Sequence, residues 1–203
     1  SQFEKAEATF FNVEYPRNVF HVRKPLFEPL AGTLPEAEIY ARLVEALGVL
    51  TERDYAPLRR ARKLGDTAFA LAFFALAARK PKVMKYAPII LYRVLGAHLP
   101  TGMDSAAALW GVAQLYTAGN RADAKRAGFG GLPPWSGMKL FRALLNQHSG
   151  TVFAHSDYAD SWQAVGLPEQ RINVHLPELL PELASLSQGV PAGDAQFPLI
   201  LSA

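Results

Sequence analysis

Cysteine is missing from all 203 positions. Disulfides, thiolate nucleophiles and cysteine-held zinc or iron–sulfur clusters are thereby excluded. Long apolar runs are missing too. The longest uncharged stretch, Ser105 to Asn120, is interrupted by Gly111 and Gln114, whereas a bilayer span needs about 20 apolar residues. The opening residues carry no charged segment leading into an apolar one, so no secretory signal is read there and the cytoplasm is the expected location. Histidine is sparse: His21, His98, His148, His155 and His175 show none of the paired spacings that put two imidazoles on one metal. No metal site is expected. Gly128, Gly130 and Gly131 are followed by Leu132-Pro133-Pro134, where a phosphate loop would need a helix start with free N–H groups. A loop or hinge is the better reading. Ser136-Gly137 lacks the surroundings of a nucleophile elbow.

What is present is apolar material. Hydrophobic residues make up 50% of the chain and aromatics 11%, enough for one globular domain with a core and against disorder. The most apolar stretch is Asp66 to Arg79, whose twelve inner residues carry no ionisable group and include eight Ala or Leu. That composition favours helix, with Asp66 at the positive end and Arg79 and Lys80 at the negative one. Phe69, Leu71, Phe73, Phe74 and Leu76 lie all round such a helix. The expectation is a central helix buried on every side.

Charge is unevenly distributed. From Thr51 to Arg142 there are 15 Lys or Arg against 5 Asp or Glu, a balance of +10, while the flanks hold 6 basic and 13 acidic residues, a balance of −7. The densest basic cluster is Arg59-Arg60-Ala61-Arg62-Lys63. It contains no aromatic residue on which a base could stack, so a solvated helix face is preferred over a nucleic-acid site.

Taken in order, Thr9 to Val13 and Val19 to Val22 read as two extended runs bent at Tyr15-Pro16. Thr33-Leu34-Pro35-Glu36 reads as a capping box opening a helix that ends near Gly48, with Ile39, Tyr40, Leu43, Val44 and Leu47 as its inward stripe. Helices are then expected at Ala56 to Leu64, Asp66 to Arg79, Lys82 to Leu95 with a kink or break at Pro88, and Asp104 to Thr117. A short basic helix is expected at Ala122 to Ala127, and a further helix at Gly137 to Gln147 with Met138, Phe141, Leu144 and Leu145 inward. The last part reads as short strands at Thr151 to Ala154 and Arg171 to Val174, a helical stretch near Tyr158 to Val165 and a helix at Pro177 to Leu186. The fold class expected is mainly α, a multi-helix bundle with a few short β-strands near the N- and C-termini.

The run Glu4-Lys5-Ala6-Glu7-Ala8-Thr9-Phe10-Phe11-Asn12-Val13-Glu14 resembles the E-K-x-G-T-F-x-N-x-E-G-R-x-Q segment of the molybdopterin oxidoreductases, the family of formate dehydrogenases and nitrate reductases. Pro29 to Gly48, a proline-rich stretch and a helix ending in Leu47-Gly48, resembles the family's next stretch. Phe197 to Ala203 looks like the opening strand of the family's C-terminal dinucleotide-binding β-barrel. The departures are Ala8 for the usual Gly, Tyr15 for the next Gly, Pro16 for Arg and Asn18 for Gln.

The resemblance implies an excised piece of one domain over residues 1–203, family-like in 1–50 and 150–203, with 51–149 as a basic helical insertion. The parent would carry out two-electron redox chemistry on a small substrate at molybdenum held by two molybdopterin guanine dinucleotides, with an iron–sulfur cluster in some members. The piece itself would hold none of these cofactors and would not be catalytic. Its partners would be the remaining domains of the same polypeptide and, through the parent, an electron-transfer partner, with neither nucleic acid nor membrane favoured. Asn12 and Glu14 are the matched polar residues of the family run, and as i and i+2 of an extended segment they project to one side. They are the candidate cofactor-neighbouring residues; the alternative is that they bond local backbone beside Tyr15-Pro16. A rival reading of the whole chain is a helical adaptor that binds an acidic protein or nucleic acid through its basic middle.

Overall fold

Aromatic and β-branched residues favour pleated backbone, and the first elements obey that preference. In a computed structural model, which describes residues 8–12, 15–28, 30–172 and 174–186, β1 (Ala8–Asn12) and β2 (Arg17–Arg23) run antiparallel. Phe11 pairs with Phe20 and Asn12 with Val19. A third strand, β3 (Thr151–His155), closes the sheet on the other edge of β2, with a register shift between Asn18 and Val19. Glu14 and Phe197 to Ala203 lie outside the described residues. Ile172 and Val174, where a strand was expected, are in no strand. The run alternates polar and apolar residues, but Ile172 is 58% and Val174 87% exposed, so neither has the buried face that would hold it as a strand.

The rest is mainly helical. α1 (Glu36–Ala46) starts at Pro35, and Thr33 does not cap it: the Thr33 hydroxyl donates to the Leu30 carbonyl at 2.6 Å, closing a turn. The reciprocal arrangement expected at Thr33 and Glu36 appears one helix later. At the start of α2 (Glu52–Lys63) the Asp54 carboxylate accepts from the Thr51 backbone N–H at 3.0 Å and from the Thr51 hydroxyl at 3.1 Å. Asp54 answers the N–H of the N-cap Thr51, whereas the N-cap of α1 is Pro35, which has no N–H to offer.

α3 (Asp66–Arg79) has the predicted bounds but not the predicted surroundings. Phe69, Ala70 and Phe73 are buried, whereas Leu71 is 61% and Phe74 39% exposed. The expectation of burial on every side is therefore corrected: α3 lies at the surface with one side in the core. Asp66 does not cap it either, since Gly65 holds that position and the Asp66 carboxylate is paired with Arg62 at 3.0 Å and with Arg142.

Pro88 ends the preceding turn rather than bending a long helix, because its missing N–H is harmless in a first helical turn. A tight turn of 3-10 type, Val83–Tyr86, gives way to α4 (Ala87–Leu95). Another 3-10 turn, Asp104–Ala108, leads into α5 (Leu109–Gly119), and α6 (Arg121–Ala124) passes into a wider turn at Lys125–Phe129. α7 (Trp135–Asn146) buries Met138, Phe141 and Leu144 as its spacing predicted.

The core gathers round Trp110. Its ring meets Phe69 at 5.1 Å and Phe73 at 5.2 Å, both edge-on, the geometry that ring quadrupoles favour. Ile90, Leu91 and Val94 of α4 complete that layer. Tyr116 reaches Phe153 of β3 at 5.0 Å, and Phe153 meets Phe20 of β2 at 6.3 Å, so the sheet is tied to α5 by an aromatic chain. α5 and α7 approach closely because Gly137 has no side chain: a Cβ there would stand 2.4 Å from Gln114 Oε1 and 2.8 Å from its Cα.

The chain divides into two compact units, with the division between Tyr158 and Ala159. In the second, a 3-10 turn at Pro168–Gln170 precedes α8 (Leu180–Leu186), on which Leu180, Leu183 and Leu186 are exposed.

Candidate functional site

Glu38 and Glu45 are two helical turns apart and Ala41 lies between them, so all three share one face of α1. On α4, Arg93 is the only charged residue from Ala87 to Leu95, and a cation in an apolar helix needs an acidic partner. The two faces meet. Ala41 is fully buried, small enough to let the helices close up. Arg93 then donates from Nε to Glu45 Oε1 at 2.7 Å, from Nη2 to Glu45 Oε2 at 2.8 Å and from Nη1 to Glu38 Oε2 at 2.6 Å. Tyr92 donates to Glu38 Oε2 at 3.0 Å, Tyr55 of α2 donates to Glu45 Oε1 at 3.0 Å, and Arg42 donates to Glu38 Oε1 at 2.7 Å.

The electrostatics fix Glu38, Tyr92, Tyr55 and Arg93 each in one form. Burial alone would raise the Glu38 carboxyl, but hydrogen bonds from Arg42, Arg93 and Tyr92 outweigh it and hold it below the usual carboxylate value. Burial, then the Glu38 carboxylate, push Tyr92 up to about 12. Burial and Glu45 raise Tyr55 further, and the hydrogen bonds to Glu45 keep Arg93 charged. None of these shifted groups titrates near neutral pH, where a general acid or base would have to. The cluster works as a clamp. Beside it opens a cleft of about 450 Å³ lined by Glu45, Leu50, Thr51, Glu52, Tyr55, Arg59 and Arg93. Both of its arginines already hold carboxylates, Arg59 through Nη1 to Glu52 at 2.6 and 2.7 Å.

The clamp turns α1 over. With its carboxylates inward, Ile39, Tyr40, Leu43 and Leu47 face solvent, Leu47 being 77% exposed. The expectation that this stripe packs inward is corrected for Ile39, Tyr40, Leu43 and Leu47, while Val44 does pack against the core: two charged hydrogen-bonding residues directed at one part-buried guanidinium outweigh the preference of the leucines.

The structure places only some of the residues that the sequence singled out. The Asn12 backbone pairs with Val19 in the sheet, and Glu14 is outside the described residues. The basic cluster of α2 divides: Arg59 binds Glu52, Arg62 binds Asp66, and Arg60 and Lys63 are exposed. The glycine run is structural, since the Gly128 carbonyl accepts from Lys139 Nζ at 2.7 Å and the Pro134 carbonyl from Gln114 Nε2 at 3.1 Å. His21 Nε2 donates to the His148 carbonyl at 3.0 Å. Among the described residues no three His, Asp or Glu stand together as a metal would require, and the clamp's carboxylates are committed to arginine. Among the described residues there is thus no ligand group for molybdenum, and no step is routed through it. The clamp itself was not singled out in the sequence. Its signal was a lone arginine in an apolar helix and two glutamates seven apart opposite an apolar stripe.

Comparison of the chain with known protein families, with curated proteins and with solved structures returns no match. Among the described residues no helix is long and apolar enough to cross a membrane.

Proposed function

We propose that the chain is a scaffolding segment, without catalysis of its own, of a molybdopterin-dependent oxidoreductase, and that the exposed face of α1 packs against the remaining domains of that polypeptide. The observation that carries the scaffolding role is the inverted α1. A helix clamped by its acidic face presents Ile39, Tyr40, Leu43 and Leu47 outward in a row, with Leu26, Phe27 and Leu30 exposed in the segment leading to it. Such an apolar surface is the mark of a contact with further protein. The family assignment is supported by the Glu4 to Glu14 run and by the proline-rich stretch and helix after it. In this reading the two-electron redox chemistry belongs to the molybdenum centre and its guanine dinucleotides, and with it the small substrate and the electron partner.

The test compares the purified chain with the same chain carrying its natural flanking sequence. Molybdenum should accompany only the longer protein, and backbone amides at 39–47 should gain hydrogen-exchange protection there. Equal molybdenum in both, or unchanged exchange at 39–47, overturns the reading.

The rival adaptor reading has its own observation. Lys63, Arg79, Lys82 and Lys85 form no ion pair among the described residues.

A further inference from the structure

The outward side of α3 is apolar for most of its length. Thr67, Leu71, Phe74, Ala75 and Ala78 are all exposed and lie within about a third of the helix circumference. Just before it, Leu64 is 82% exposed. Phe74 is already ordered, its ring lying 6.0 Å from Trp110 and 6.2 Å from Phe73 while the rest faces solvent. A rigid aromatic anchor of this kind contributes more to an interface than a mobile side chain does.

Both ends of this face are cationic. At the start stand Lys63 and Arg142, and beyond the end stand Arg79, Lys80, Lys82 and Lys85, all exposed. The carboxylates close by are already engaged: Asp66 by Arg62 and Arg142, Asp54 by Lys80 at 2.8 Å. A 14-residue helix is about 21 Å long, so the two positive ends are about that far apart.

We propose that the outer face of α3 docks an acidic amphipathic helix of a partner protein, its apolar stripe over Leu71 and Phe74 and its carboxylates at the two cationic ends. Three features select this occupant. A second copy of the chain would set cation against cation at both ends. A membrane surface calls for cations ranged along the flank of a helix with bulky apolar residues, whereas here the charges stand at the ends and Ala75 and Ala78 keep the C-terminal half of the face low. That low half admits another helix at close approach, with Leu71 and Phe74 near the centre as the raised contacts. The proposal rests on α3 alone and stands whether or not the chain belongs to an oxidoreductase.

The test uses the full chain and two synthetic helical peptides with identical leucine stripes, one ending in glutamates and the other in lysines. Fluorescence anisotropy should show binding of the acidic peptide only, weakened by salt. Leu71→Asp, an exposed change whose fold is checked by circular dichroism, should weaken it by roughly ten-fold or more. Lys63→Glu with Lys82→Glu should exchange the preference for that of the basic peptide. Equal binding of both peptides, no binding of the acidic one, or indifference to Leu71→Asp overturns the proposal. So do binding to phosphatidylserine vesicles in place of the peptide, and self-association abolished by Leu71→Asp.

Discussion

Arg93 holds Glu45 by two parallel hydrogen bonds, Nε to Oε1 at 2.7 Å and Nη2 to Oε2 at 2.8 Å, across 48 residues of sequence. This fork-on-fork pair is the strongest side-chain link between α1 and α4, and it decides which side of α1 faces the protein.

Arg93→Ala should therefore release α1. It leaves Glu38 and Glu45 part-buried without their cation, and the expected loss is about 2–4 kcal/mol by urea unfolding. Amide exchange over Glu36 to Ala46 should rise more than exchange in α5. Arg93→Lys should restore little, since an ammonium cannot serve two carboxylates in one plane. Equal exchange in α1 for parent and variant would show that the helix is held by something else.

Acid should loosen the same region. Glu38 and Asp54 have native pKa values below their usual ones, Asp54 because hydrogen bonds from Lys80 and Thr51 overcome the effect of burial. The unfolded chain then binds more protons than the native one through that window, so stability rises with pH across it. The contribution is full above about pH 5 and is lost as pH falls through the lowered native values. Glu38→Gln should flatten the acid limb of a stability-against-pH curve, and an unchanged limb would remove Glu38 as its source.

α3 should respond on one side only. Phe69→Ala removes a ring that is 1% exposed and packed on Trp110, with an expected loss of about 3–5 kcal/mol. Leu71→Ala, on the outer side, should change the stability by less than about 0.5 kcal/mol. Comparable losses from the two would mean that α3 is enclosed.

The contact of α5 and α7 should not tolerate a methyl group. Gly137→Ala places a Cβ against Gln114 Oε1 and Cα, and because one of those atoms is backbone the helices must part. A cost of about 1–3 kcal/mol is expected by thermal or urea unfolding, with Gly137→Ser no better tolerated than Gly137→Ala. A midpoint equal to that of the parent would show that the two helices can separate freely.

The sequence by itself determined the elements. Local composition and breakers placed the first hairpin, the bounds of α3, the break before α4, the loop ahead of α7 and the inward Met138, Phe141 and Leu144. Each of these depends on residues within a few turns of one another, which is the range over which propensity and periodicity act. For α1 and α3, only the tertiary structure decided which face is inside. The stripe of α1 and the apolar circumference of α3 both read as core, yet Leu43, Leu47 and Leu71 are exposed. For α1 the cause is a partner 48 to 55 residues away, Arg93, whose demand for two carboxylates no local pattern reports. For α3 it is simple geometry: with one side filled by Trp110 and its neighbours, nothing among the described residues of the same unit covers the other, so an apolar surface is left exposed.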